Sequence, residues 1–97
     1  MTAMPPPVTL AHHVALSENV LMQEVGGEAV LLDLTGERYF GLNKVGTRIW
    51  ELLGTQSDLV QVHARLCEEF EAEPMQVEQD LLRLVGELSD AGLVKVG

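Results

Sequence analysis

The sequence predicts an α+β domain in which a three-stranded antiparallel sheet is followed by three helices. Two apolar runs flank the pair Gly26-Gly27, and a third follows the pair Thr35-Gly36. From Asn43 onward the apolar spacing changes from the alternation of a strand to the three-or-four spacing of a helix. Strands gathered first and helices second describe a small two-layer domain rather than a parallel α/β unit.

The first two strands are residues 20–25, VLMQEV, and residues 28–34, EAVLLDL. Between them Gly26 and Gly27 supply the positive backbone dihedrals that a two-residue hairpin turn requires. The third strand, residues 37–42, places Arg38, Phe40 and Leu42 on one face and Tyr39 and Gly41 on the other. Residues 13–16 either form a short strand or lie along the sheet.

Asn43 caps a first helix whose apolar positions are Val45, Ile49, Leu52 and Leu53, with Trp50 beside them and Gly54 at its end. Within it Gly46 either admits a close neighbour or is a tolerated helical glycine. Ser57 is the expected cap of a second helix carrying Leu59, Val62, Leu66 and Phe70 on one stripe. Pro74 suits the first position of a third helix, where its missing amide costs nothing, and Val77, Leu81, Leu84, Val85 and Leu88 form the stripe. Gly92 matches a left-handed stop with Leu93 folding back, and residues 93–96 are apolar enough to pack on the body. Residues 1–11, with Pro5, Pro6 and Pro7, are expected to be a flexible tail, and residues 12–97 the domain.

Ninety-seven residues support one core, and an aromatic content of 4% makes that core aliphatic. Fifteen acidic against six basic residues give a net charge of −9, which opposes a polyphosphate backbone. Charge is also uneven: Arg38, Lys44 and Arg48 have no acid between them, whereas residues 68–80 hold six acids and no base. No segment reaches the roughly 18 consecutive apolar residues of a membrane span, and the first eight residues have no positive signal-like region. A cytoplasmic protein with no membrane partner is therefore expected.

No chemistry-bearing constellation stands out. Cys67 has no second cysteine to pair with, and its helical setting reads as a buried or half-buried spectator thiol. His12 and His13 are adjacent rather than on a common face, and His63 is read as having no cysteine nearby, so neither metal nor catalytic base is expected. Asp33 and Asp80 lack an accompanying nucleophile and orienting group, and Gly26-Gly27 precedes a strand instead of a helix. The residues predict no enzyme, metal or cofactor. What they offer is an edge: a meander in so short a chain leaves outer strands, and the third strand, beside a helix, is a candidate to pair with an extended peptide. A homodimer could use the same edge.

The run from Val30 to Leu53, VLLDLTGERYFGLNKVGTRIWELL, resembles the pyrroloquinoline quinone biosynthesis D (PqqD) family of RiPP recognition elements. In particular it is similar to the discrete leader-binding proteins of lasso-peptide pathways. Similarity continues through the Ser57 helix to Val77-Glu78-Gln79-Asp80 and to the run from Glu87 to Leu93, covering about residues 14–95. The YFGLN…G…IW pattern is the specific part; the apolar helices around it are generic.

The resemblance implies a winged helix-turn-helix-like body that binds the leader region of a ribosomally made precursor peptide and presents it to a separate maturation enzyme. The short turn and YFGLN form favour a lasso-peptide leader peptidase as that partner. It further implies that the leader adds as a strand along Glu37, Arg38, Tyr39, Phe40 and Gly41, with Leu32 and Leu34 in the cleft floor. On the facing helix, Val77, Leu81 and Leu84 would receive apolar leader side chains and Asp80 a basic or hydrogen-bonding one. Phe40, Leu42, Ile49 and Trp50 are assigned to scaffold. The alternatives are a homodimeric structural or interaction protein and, further behind, a DNA-binding winged helix, whose recognition helix should be basic where residues 74–90 are more acidic than basic.

Overall fold

The computed structural model describes residues 8–97, so the part of the expected tail at residues 1–7 lies outside the described residues. The chain runs through β1 (Val14–Leu16), β2 (Val20–Val25), β3 (Glu28–Asp33), β4 (Arg38–Leu42), α1 (Lys44–Leu53), α2 (Leu59–Glu69), α3 (Pro74–Asp90) and β5 (Val94–Val96). Strands β2, β3 and β4 form the expected antiparallel meander in that order. Gly26 and Gly27, at φ +64° and +85°, make the two-residue turn that registers Val25 against Glu28.

The loop from β3 to β4 is held differently. The Asp33 carboxylate accepts from the Thr35 amide at 3.1 Å and lies 3.8 Å from Arg38 across the hairpin. A Cβ at Gly36 would come within 2.8 Å of that carboxylate and 3.2 Å of Arg38 Nε, so a larger residue there would displace the two side chains that bridge the turn.

A second sheet, β1 with β5, ties the two ends of the described chain together, with Val14 opposite Val96 and Leu16 opposite Val94. Residues 13–16 thus form a strand, with the apolar carboxy-terminal segment as its partner. Gly92 reverses the chain at φ +77°, and the Leu93 amide bonds back to the Leu88 carbonyl at 2.9 Å, as the left-handed stop requires.

Helix α1 begins as expected, with Asn43 Oδ1 accepting from the Gly46 amide at 2.8 Å. A Cβ on Gly46 would press to 3.3 Å on both Asn43 Oδ1 and Leu42 Cδ2, so this glycine does serve a close approach. Helix α2 is capped by Asp58, not Ser57: Asp58 Oδ1 accepts from the Val60 amide at 3.0 Å. The Ser57 carbonyl instead accepts from the Val14 amide at 2.8 Å, which spends that residue on β1. Helix α3 starts at Pro74 with no side-chain cap.

The core is aliphatic apart from Trp50, joining Leu31 and Leu42 of the sheet to Ile49, Leu66, Leu81 and Leu88 of the helices. Among the described residues the one buried polar side chain is Thr47, whose hydroxyl accepts from the Ala29 amide at 2.9 Å and reaches the Leu42 carbonyl at 3.5 Å. Helix α1 is thereby bonded to β3 and β4 at once. Outside the core, Arg48 of α1 makes a two-pronged contact with Glu69 of α2, Nε to Oε1 at 2.6 Å and Nη2 to Oε2 at 2.8 Å.

Thr47→Val keeps the shape but leaves the buried Ala29 amide without a partner, and should lower the unfolding free energy by about 1–3 kcal/mol in urea titrations. The hydrogen bond from Arg48 holds the Glu69 carboxyl below its ordinary value of 4.5. Its stabilisation is therefore complete above the unfolded carboxylate pKa and disappears as pH falls through the lower folded value. Glu69→Gln should be less stable than the parent by up to about 1 kcal/mol near neutrality, a figure kept small because the pair is partly solvated, and the two should converge in acid.

Candidate functional site: a trough beside an outer strand

Strand β4 has β3 on one side only, so alternate backbone N–H and C=O groups along Arg38–Leu42 face away from the sheet. Beside that edge runs α3, antiparallel hairpin and helix being held apart by α1, which enters directly from Leu42 through Asn43. The result is a trough. Its central part, about 290 Å³, lies between Phe40–Gly46 on one wall and Asp80, Arg83, Leu84 and Glu87 on the other, with Ile49 at its base. Toward the carboxy-terminal end of α3 a smaller hollow of about 180 Å³ adjoins it, bounded by Arg38, Tyr39, Phe40, Ala91 and Leu93. Phe40 borders both.

Charged groups fix the trough's edges. Arg38 donates to the Ala91 carbonyl at 3.1 Å, where a cation meets the negative end of the α3 dipole and links the β4 entry to the helix terminus. Asp80 Oδ1 accepts from Gln76 Nε2 at 3.0 Å and lies 3.5 Å from Arg83 Nη2, so its carboxylate is oriented by its own helix.

The structure brings Arg38, Tyr39, Phe40, Gly41, Asp80 and Leu84 together around the trough. Val77 lies further along α3, and Leu81 is fully buried beneath, a core residue rather than a lining one. The apolar stripe expected on α3 is thus two faces: Val77, Leu81, Val85 and Leu88 are buried, whereas Leu84 turns to the trough with Asp80, Arg83 and Glu87. Leu32 is not in the trough floor. It pairs across to Leu21 and Tyr39, and the inward position beside it belongs to Leu31, which is fully buried. Leu34 and Glu37 sit in the β3–β4 turn, Glu37 at φ +53°.

The outer face of the sheet carries Leu21, Val30 and Tyr39, at 54%, 45% and 74% exposure, an apolar surface that no element among the described residues covers. Sequence reading singled out neither this face nor Arg83 and Glu87, although their spacing of three and seven from Asp80 places them on one helix face. It also set His63 apart from any cysteine. Cys67, one helical turn on, brings Sγ to 3.6 Å from His63 Nε2, and the same nitrogen is 2.8 Å from the Pro74 carbonyl. Four residues along a helix return to the same face, which linear adjacency conceals. Among the described residues no group of three or more His, Cys, Asp or Glu is placed to hold a metal ion, and no helix is long and apolar enough to cross a membrane.

Residues 28–94 match the family described as coenzyme PQQ synthesis protein D (PqqD). Among solved structures, TbiB1 in complex with the TbiA(beta) leader peptide is 32% identical to this chain, covering 84% of it and 94% of TbiB1 with a TM-score of 0.78. A lasso peptide synthetase B1 complexed with the leader peptide is 25% identical, covering 86% of this chain and 98% of the other with a TM-score of 0.75. No curated protein sequence matches the chain.

The two faces of α3 should separate in stability measurements. Leu81→Ala should cost about 2–5 kcal/mol in urea unfolding, whereas Leu84→Ala should cost about 1 kcal/mol or less. Equal losses would place Leu84 in the core.

Proposed function

The chain belongs to the PqqD family, and from that membership we propose that it binds the leader region of a ribosomally made precursor peptide along β4 and presents it to a separate maturation enzyme. The observation that carries the reading is the unpaired edge of β4 standing over a trough walled by α3. An extended peptide satisfies the outward backbone groups of β4, giving affinity that is indifferent to sequence, while every second side chain enters the trough and supplies selectivity.

Each part of the site then has a role. Arg38, Tyr39, Phe40 and Gly41 offer the pairing edge, and the exposed Gly41, with no side chain, lets the added strand lie close. Leu84 gives the inward side chains an apolar wall, and Asp80 takes a basic or hydrogen-bonding one. Peptide side chains on the opposite face would lie beside Tyr39 and, one strand further in, Leu32. Support comes from TbiB1 and the lasso peptide synthetase B1, both solved with a leader peptide. The lasso peptide synthetase neighbour supports a lasso-type precursor, the family resemblance implies a leader peptidase as the receiving enzyme, and the outer sheet face with Leu21 and Val30, uncovered among the described residues, would be open to such a partner. Catalysis is left to that enzyme.

Titration with the leader of the precursor encoded beside this chain should give saturable binding near the micromolar range or tighter, roughly −8 kcal/mol, with amide shifts concentrated on β4 and the trough face of α3. Asp80→Lys should weaken binding about tenfold without changing the unfolding midpoint by more than a surface substitution does. A correctly folded protein that shows no saturation would overturn the reading. Shifts centred on β2, the other outer strand, and dependent on protein concentration would favour a homodimer instead.

A further inference from the structure

We infer that recognition extends past the end of β4 into a second, apolar pocket among the three helices, and that this pocket takes one bulky apolar side chain of the bound peptide. The inference rests on the proposed peptide-binding reading and adds to it an anchoring position outside the strand pairing.

The pocket, about 220 Å³, is lined by Val45 and Ile49 of α1, Leu66 and Phe70 at the end of α2, Ala72 in the link, and Val77 of α3. Its origin is local. Helix α2 stops when Phe70 turns to extended backbone at φ −116°, ψ +134°, and α3 restarts only at Pro74, so the first turns of α3 stand away from α1. Leu66 and Ile49 are almost fully buried at its base, yet the hollow opens to the surface past Ala72. It adjoins the trough, with Val45, Ile49 and Asp80 bordering both. A peptide continuing past Leu42 along the α3 wall would reach it next.

Charge narrows the occupant. Among the described residues that line it, the ionisable groups are the acids Glu71 and Asp80, the second with Arg83 at 3.5 Å. Asp80 meets both Gln76 and Arg83 through Oδ1, which leaves Oδ2 without a hydrogen bond or ion pair among the described residues. An apolar anchor followed or preceded by a basic residue fits this mouth, whereas an acidic neighbour would meet like charge in a partly desolvated place. Filling such a pocket with a Leu-sized or Phe-sized side chain strengthens binding by about ten- to a hundredfold.

The test uses the leader peptide of the neighbouring precursor and an alanine scan of it. Ala72→Trp, a substitution at an exposed position that fills the pocket from its rim, should weaken leader binding about ten- to a hundredfold. One bulky apolar leader residue outside the β4-paired segment should be costly to replace by alanine against the parent protein and nearly free against Ala72→Trp, a coupling that two unrelated effects do not produce. In the unmutated protein, the methyl resonances of Leu66 and Val77 should shift on leader addition, so a poorly folded variant does not decide the matter. Parent-like affinity of a folded Ala72→Trp, or unmoved methyls at saturation, overturns the anchor while leaving β4 pairing intact. Failure of the parent to bind the leader at all defeats the broader reading and the anchor with it. Methyl shifts that follow protein concentration without peptide would assign the pocket to a second copy and also overturn the proposal.

Discussion

The buried hydroxyl of Thr47 is the constraint on which the geometry of this domain turns. A sheet of three short strands has little to hold it at a fixed angle to a helical layer, because apolar packing is tolerant of sliding and rotation. A single hydroxyl that takes the Ala29 amide and reaches the Leu42 carbonyl removes that freedom, since any rotation of α1 against β3 and β4 would strand a buried polar group. Asn43 and Gly46 complete the joint, one capping the helix immediately after β4 and the other letting Leu42 lie against its first turn. The edge of β4 and the base of the trough are therefore set by the same few residues.

That joint explains why β4, rather than β2, borders the trough walled by α3. Both are outer strands, but β2 has five exposed residues of six and no helix beside it, while β4 leads into α1 and faces α3. An edge alone gives backbone pairing without discrimination; an edge with a walled trough gives both. The link from Arg38 to the last turn of α3 at Ala91 holds the far end of the same wall.

Much of the fold could be read from residue order because local signals and tertiary demands agree at those points. The paired glycines at 26 and 27, the Asn43 cap, Pro74 at a helix start and Gly92 at a helix stop all behave as their conformational preferences dictate. The differences arise where long-range contacts compete. Ser57 has a good capping side chain, but its carbonyl serves β1, so Asp58 takes the cap. The pairing of β1 with β5 joins segments about eighty residues apart, and no local pattern encodes it. For the trough, the family resemblance implied α3 as a wall, while periodicity merged its two faces, because Leu84 and Val85 are equally apolar in composition and differ only in which way the helix turns them. The resemblance likewise carried Leu32 to the cleft floor, but in a strand one residue decides the face, and it is Leu31 that points inward.

The division of α3 into a buried face and a trough face has a consequence for how such a protein can change. Val77, Leu81, Val85 and Leu88 carry the core, and replacing any of them leaves a cavity. Gln76, Asp80, Arg83 and Glu87 are bonded to one another or to solvent along the opposite side, where substitutions cost little stability. Selectivity for a peptide side chain can therefore drift along the trough while the scaffold stays constant, and backbone pairing at β4 keeps a basal affinity during the drift. Leu84 is the position where the two demands meet, being half-buried against the core and exposed to the trough. Size changes there act on packing and on recognition together, which makes Leu84 the residue least free to vary on that face.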